Sequence, residues 1–410
     1  MAASTITAFE AVMKQGWTQE KLEKQYYDED PLLENIEKRK PSVTIGLEAI
    51  TPVHTGRGGG YTVVPPTGAA TLNEAAPQVL NRATWKYRRH WNPIKLDTAT
   101  VKQTEGNGNA VAEAVNTEVE GNISDLRKQI TRQLFLDQTA LIAKCTTTTT
   151  STTVKLSAAA GDLGYQAIRN GWLVVGQQID IGTTTEQEVI AGKREITAVS
   201  ESETEPTITI SGAAVSTTSS HYISIASARS GTTSYENNGF RNLISESSTL
   251  GNLAPASVPG WKGVVSSEAE AVITREKVLK LRRKVRQHGE SPDWAFTSLK
   301  QVEALENQLY PQVRFAKPGE MNTGDGESMM VGTVKVQGHQ DCPDADFNMV
   351  KSDKIAALRS DQPVWVTQEY GSGGILTWNL TGTYLVSAIE YYFELYTNRR
   401  NALGALRELG

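Results

Sequence analysis

Cysteine is nearly absent from this chain, with Cys145 and Cys342 alone among 410 residues. A disulfide framework or a thiolate zinc site needs more, so both read as free thiols suited to a reducing compartment. Long apolar runs are missing too. The densest, Trp172-Leu173-Val174-Val175, falls far short of the ~18 residues of a membrane-spanning helix. Met1 to Glu10 has neither the basic nor the apolar region of a secretion signal. Histidine is sparse, and His54, His90, His221, His288 and His339 show no His-Glu-x-x-His spacing and no Gly-x-Ser-x-Gly partner. Hydrolase chemistry is therefore disfavoured. Gly56-Arg57-Gly58-Gly59-Gly60 lacks the Lys-Ser/Thr ending of a phosphate-binding loop and reads as a flexible loop. Positive charge is not in excess: the formal net charge is -5, which argues against wrapping nucleic acid over the whole surface but leaves room for a local basic face.

What is present is ordinary globular material, 39% hydrophobic and 21% charged, in a chain long enough for two to three domains. Residues 5–40 are charged and helix-prone, broken by Pro31. Residues 41–80 carry Pro41, Pro52, Pro65, Pro66 and Pro77 besides the glycine run, a composition hostile to regular helix and central strand. This whole stretch reads as an arm that needs another surface to lie on. Thr84 to Val101 is aromatic, basic and β-prone; a turn at Glu105 to Asn109 would return Ala110 to Val119 as a second strand of a long hairpin. The clearest helix is Asn122 to Lys144, striped by Ile123, Leu126, Ile130, Leu134 and Leu141. Residues 151–228 hold short alternating runs at 173–175, 178–181, 195–199, 207–210 and 222–225, the pattern of a small inserted β-domain. Further helices are expected at Ser266–His288 and at Ser298–Leu309, the latter opened by a Ser298-Leu299-Lys300-Gln301 capping box. Strands follow at 333–336, 347–350, 355–358, 364–366, 375–380 and 384–396.

Four groups of residues invite a chemical reading. His339, Asp341, Asp344 and Asp346 crowd one loop; a hard cation would suit them, but an Asp/Pro turn is the preferred explanation. Lys277, Lys280, Arg282, Arg283, Lys284 and Arg286 form a basic helix face, for which a solvated or subunit-pairing role is preferred to phosphate binding. Trp85, Lys86, Tyr87, Arg88, Arg89, His90 and Trp91 mix aromatics and cations as single-strand binders do and as interface anchors do. Glu369-Tyr370-Gly371-Ser372-Gly373-Gly374-Ile375 is a glycine-rich turn between strands.

The order of these elements resembles that of the major capsid proteins of tailed bacteriophages, a fold shared with encapsulins and the herpesvirus capsid floor, over roughly residues 80–410. The resemblance is carried by the hairpin running into the helix with Asp125-Leu126-Arg127 and Arg132-Gln133-Leu134-Phe135. It is carried also by Gly239-Phe240-Arg241-Asn242-Leu243-Ile244 with Pro259-Gly260-Trp261, and by Tyr391-Tyr392-Phe393-Glu394-Leu395-Tyr396 and the tail beyond it. It implies an α+β fold: N-terminal arm 1–80, E-loop 81–118, spine helix 119–145 of a peripheral domain, inserted β-domain 146–228, and peripheral connection 229–262. The axial domain 263–360, a peripheral segment with the P-loop 361–400, and a closing axial strand 401–410 complete it. It implies a non-enzymatic shell protein with no cofactor and no membrane, assembling with itself in pentamers and hexamers. The implied setting is the virion, with assembly in the host cytoplasm; implied partners are a portal protein, scaffold and decoration proteins, and double-stranded DNA touched weakly from inside. Trp85, Tyr87, Arg88, Arg89, Trp91 and Lys95 would then be intersubunit E-loop residues, and Glu369, Gly371, Gly373 and Gly374 the P-loop at a three-fold axis. Some relatives crosslink an E-loop Lys to an Asn; Lys86, Lys95 and Lys102 are available, but the sequence assigns no partner pair. An encapsulin-like cargo compartment, or a β-rich tail or surface adhesin, are the rival readings.

Overall fold

The computed structural model describes residues 44–45, 48–69, 71–97, 108–159, 161–190, 192–313, 328–360, 364–366, 377–378 and 384–410, with Leu32 and Ile36. The described elements from residue 44 on are strands β1 (Thr44–Ile45), β2 (Glu48–Gly56), β3 (Val79–Lys86) and β4 (Arg88–Asp97) and the long helix α1 (Gly108–Phe135). Next come β5 (Ala143–Lys144), β6 (Thr148–Ser151), β7 (Thr153–Lys155), α2 (Gly164–Arg169), β8 (Gln178–Gly182), β9 (Arg194–Ser200), β10 (Thr207–Ile210), β11 (Val215–Thr217) and β12 (Tyr222–Ile225). A connection holds β13 (Arg229–Ser230), β14 (Thr233–Ser234) and α3 (Phe240–Leu243). Helices and strands then mix: β15 (Val264–Ala271), α4 (Arg275–Arg286), β16 (Trp294–Thr297), α5 (Leu299–Val313), β17 (Ser328–Val331), β18 (Val334–Gly338) and β19 (Phe347–Val350). The end is β20 (Ile355–Arg359), β21 (Val364–Trp365), β22 (Thr377–Trp378), β23 (Tyr384–Thr397) and β24 (Gly404–Leu409). The fold is α+β, as the sequence leads one to expect.

The hairpin is not where sequence pattern places it. Its two strands are β2 and β3, antiparallel from Glu48 opposite Lys86 to Gly56 opposite Val79, so it lies at 48–86 and draws on the proline-rich stretch. Pro52 stands opposite Arg82, two steps from the Ile50–Thr84 pair, whose Thr84 N–H turns away from β2 to the Gly251 carbonyl, so by alternation the position owes no N–H to the β2–β3 ladder. Ala110 to Val119 is helix, the first turns of α1. Ala110, Ala112, Glu113 and Ala114 are strong helix formers, and the β-prone appearance of the segment came from Val111, Val115, Thr117 and Val119.

In α1 the expected stripe holds: Ile123, Leu126, Ile130 and Leu134 are all buried. The helix ends at Phe135 rather than at Lys144, so Leu141 falls outside it. Asp137 stops it, accepting from the Thr139 N–H at 3.2 Å as an Asx turn does, and Gln138 and Ala140 are left-handed. Gly239 abuts this end; a Cβ there would stand 2.2 Å from the Leu136 carbonyl oxygen and 2.3 Å from that of Gln133.

The inserted segment forms its own six-stranded sheet, ordered β5-β12-β8-β9-β10-β7, with β11 and β6 paired beside it. Its core of Val154, Ile168, Trp172, Ile179, Ile181, Ile196, Ile208 and Ile223 is separate from the other two. Leu173 to Val175 is no strand; it leaves α2 as a turn, with Leu173 buried and Val174 and Val175 exposed. A second six-stranded sheet runs β15-β24-β19-β16-β18-β17, and α4 and α5 share its core. The expected helix from Ser266 begins only at Arg275, because β15 pairs in parallel with β24 from the far end of the chain. The capping box is half made. Ser298 Oγ accepts from the Gln301 N–H at 3.4 Å, but the Gln301 amide reaches the Asp344 and Gly410 carbonyls instead.

The third sheet is organised by β23. Along one edge it pairs with β4, Tyr384 opposite Asp97 through Phe393 opposite Arg88, and along the other with β22, β21 and β20 in turn. Tyr391, Phe393 and Leu395 of β23 join Ile130, Leu134, Phe240 and Trp261 in the largest core.

Candidate functional site

The base of the β2–β3 hairpin is built in: Ala49, Ala83 and Trp85 are buried, and the Thr84 N–H bonds to the Gly251 carbonyl at 3.0 Å. Burial then fades outward, and nearly every residue from Arg57 to Leu80 is exposed. The two runs stay close: the Ala76 N–H reaches the Gly59 carbonyl at 3.4 Å, and Asn73 ties to Thr62 and Tyr61 at 2.9 Å each. The glycine run is therefore more than a flexible loop. A Cβ at Gly58 would stand 2.4 Å from the Ala76 carbonyl oxygen, and Gly60 has φ +107, a region open to glycine. The tip displays Tyr61 at 87%, Val63 at 78% and Leu72 at 73% exposure, apolar surface that nothing among the described residues covers.

Of the residues singled out from sequence, Trp85 lies in the core, 2% exposed. It donates to Thr51 Oγ1 at 3.2 Å and packs against Tyr396 and Trp261 with ring centres 5.8 and 6.5 Å away, so it has no side-chain surface to offer a neighbour. Tyr87 stands edge-on to Tyr392 at 6.1 Å. Arg88, Arg89 and Trp91 do come together, over β23. Arg88 lies 3.4 Å from Glu394. Arg89 pairs with Glu390 and stacks on Trp91, 4.4 Å from its ring centre. Trp91, half exposed, donates to Glu390 at 3.1 Å. Lys95 stands in β4 opposite Val386. Glu369, Gly371, Gly373 and Gly374, like Lys102, lie outside the described residues.

The sequence reading missed Glu390 and Glu394, the buried acids that answer these cations. Their signal was available: two carboxylates four residues apart, hence on one face, in a strand otherwise aromatic and aliphatic. Desolvation would raise the Glu390 carboxyl, but hydrogen bonds from Arg89, Tyr392 and Trp91 outweigh it and hold it below its usual range. Glu394 is different. Burial pushes it up to about 8 despite the Asn238 N–H and Arg88 beside it. His90, half-buried and bonded to Asn237 at 3.1 Å, is pushed down to about 4, by desolvation first and then by Arg132 and Arg88.

A stability profile follows from Glu394. Its folded pKa lies above the unfolded value, so the unfolded chain releases this proton first and stability declines as pH rises from about 4.5 to about 8. Each unit of displacement is worth about 1.4 kcal/mol. Glu394→Gln should flatten that part of the profile, measured as urea midpoints at pH 5, 7 and 9. Equal losses in wild type and variant would refute the assignment.

The acidic loop turns out to be a docking loop. Asp341 accepts from Trp172 Nε1 at 2.8 Å, Asp344 meets Arg169 at 3.4 Å and Gln166 through its backbone, and Asp346 binds Arg241 at 2.5 Å and Arg407 at 3.4 Å. The carboxylates fan apart, two toward the inserted domain and one into the body. Among the described residues no group of three or more His, Cys, Asp and Glu is placed to hold a metal ion. Cys145 and Cys342 are buried, and burial raises both thiols, Cys145 to about 12, which makes them poor nucleophiles. A cleft of about 980 Å³ separates β4 and α1 from the inserted domain, lined by Arg89, Trp91, Lys128, Val174, Val175 and Glu236 among others.

No protein-family model matches the chain, and no curated protein matches it. Solved structures do. The chain is similar to the cyanophage A-1(L) capsid asymmetric unit, 12% identical over 92% of each chain with a TM-score of 0.55. It also matches the capsid of a native GTA particle (9% identity, 94% and 91% covered, TM-score 0.46) and an encapsulin complex from Synechococcus elongatus (7%, 82% and 78%, 0.40). The first of these likenesses shows the fold: this chain has the α+β fold of a tailed-phage capsid protein.

Proposed function

We propose that this protein is a non-enzymatic major capsid protein that assembles with itself, in rings of five and six, into an icosahedral head enclosing double-stranded DNA. The observation that carries the reading is the hairpin: an ordered, base-anchored projection whose tip exposes Tyr61, Val63 and Leu72. Apolar surface held out on a stem is favourable only when a partner buries it, and heterologous contacts that close into rings make a shell rather than a fibre. The fold shared with the cyanophage capsid subunit supports the same reading.

In these terms the intersubunit loop is the 48–86 hairpin in place of 81–118. The peripheral domain combines α1 with the β23 sheet, the axial domain is the sheet carrying α4 and α5, and residues 146–228 are an insertion. Residues 369–374 keep the three-fold role by their position between β21 and β22. A portal, scaffold and decoration proteins are the expected further partners, with the virion as final location. Negative-stain microscopy of the purified protein, with nuclease-protected nucleic acid measured in particles from infected cells, tests this. Closed shells holding DNA are expected. Shells holding only protein cargo would indicate a compartment, and small oligomers without shells would overturn the reading.

A further inference from the structure

Helix α4 carries a cationic face that the fold does not use. Val278, Leu281 and Val285 are its buried stripe. Arg275, Lys280, Arg283 and Arg286 are exposed, and at 3.6 residues per turn they occupy an arc of about 140° on the side away from that stripe. Lys277 is accounted for by Glu268 at 3.2 Å and by the Val272 carbonyl at 2.9 Å. The four exposed cations make no ion pair or hydrogen bond through their side chains among the described residues. Lys280, Arg283 and Arg286 follow one another at i, i+3 spacing, where like charges repel.

The helix dipole accounts for Arg283 and Arg286 in the last turn, yet it disfavours Arg275 in the first. Glu276, also exposed, is the only acid in the helix; it sits in that first turn, where the dipole favours it. Glu276 lies within the same arc, four residues before Lys280, so the face carries four cations against one carboxylate, a net charge beyond what stabilising a helix needs in a chain whose formal net charge is -5.

We propose that this face of α4 binds the phosphates of double-stranded DNA, placing the helix on the inner wall of the shell. Charge complementarity selects the occupant: a row of flexible cations about 4.5 Å apart along the axis suits a continuous phosphate backbone and reads no bases. That the polyanion is packaged DNA rests on the shell reading above. The competing occupant is the inserted domain of a second copy, where eight carboxylates face four cations in sequence.

The test uses unassembled full-length subunits and a 30-base-pair duplex, with fluorescence anisotropy followed from low to moderate salt. Neutralising Lys280, Arg283 and Arg286 to Gln should lower the slope of log affinity against log salt by about 2.7, some 0.9 for each lost phosphate contact. Lys193→Gln, Lys262→Gln and Lys300→Gln together, exposed cations elsewhere, should leave it unchanged. An unchanged slope in the α4 variant overturns the proposal. So does an unchanged slope with lost self-association, which would assign the face to a second copy. Failure of wild-type subunits to form shells while the slope effect persists would count against the shell reading alone.

Discussion

Replacing residues 58–77 with Asn-Gly, a two-residue hairpin turn, is expected to leave a folded protein that no longer forms shells. The removed segment makes no part of any core: the buried residues of the hairpin, Ala49, Ala83 and Trp85, all lie at its base. Loss of stability in the subunit should stay within about 1 kcal/mol, as for surface changes generally. Assembly is another matter. Tyr61, Val63 and Leu72 would each contribute about 1.5 to 3 kcal/mol if fully covered by a neighbour, so every subunit contact would lose on the order of 5 kcal/mol. Sedimentation and microscopy of the variant decide the point. Wild-type particle yield would remove the hairpin from the interface, and loss of cooperative unfolding would show that it belongs to the core.

Arg400→Ala should be the most damaging single substitution in the body. Its guanidinium is buried and donates to the Leu243 carbonyl at 2.9 Å, the Ser248 carbonyl at 2.6 Å, the Trp261 carbonyl at 3.3 Å and the Asn242 carbonyl at 2.8 Å. Among the described residues no carboxylate pairs with it; backbone dipoles hold its charge, and burial lowers its pKa only to about 10, so it stays charged near neutrality. One side chain thereby closes the α3 connection over the Trp261 turn and the segment between β23 and β24. Truncation would deprive the Leu243, Ser248 and Trp261 carbonyls of this donor, the Asn242 carbonyl keeping the Ser248 hydroxyl, a loss of about 3 to 5 kcal/mol. Arg400→Lys should recover little, because an ammonium cannot span the fork. Urea unfolding measures this, and a loss under about 1 kcal/mol in the alanine variant would refute it.

Much of the molecule was legible from local pattern. The stripe Ile123, Leu126, Ile130, Leu134 in α1 and the alternation Ile208, Ile210 in β10 each declare a buried face, because side-chain period is set by the backbone itself. The inserted domain was visible for the same reason, and the buried stripe and charged outer face of α4 likewise. The hairpin was displaced because Pro52 looks hostile to a strand until its position, one that owes no N–H to β3, is seen. Ser266 to Ala271 looks helical until β24 arrives as its parallel partner. The site suffered in the same way: Trp85 and Trp91 are alike in sequence, and only packing sends one between Trp261 and Tyr396 and leaves the other half exposed.

By itself, then, the sequence determined the class of fold, the helix faces and the alternating strands between residues 178 and 225. Tertiary structure alone decided which strands pair, which aromatics are core, where Asp341, Asp344 and Asp346 point, and which hairpin projects. The reason is range. Periodicity and turn chemistry act within a few residues, whereas the pairing of β4 with β23 joins segments some 300 residues apart, and a strand's edge, its burial and the counter-charges of its arginines exist only once that partner is in place.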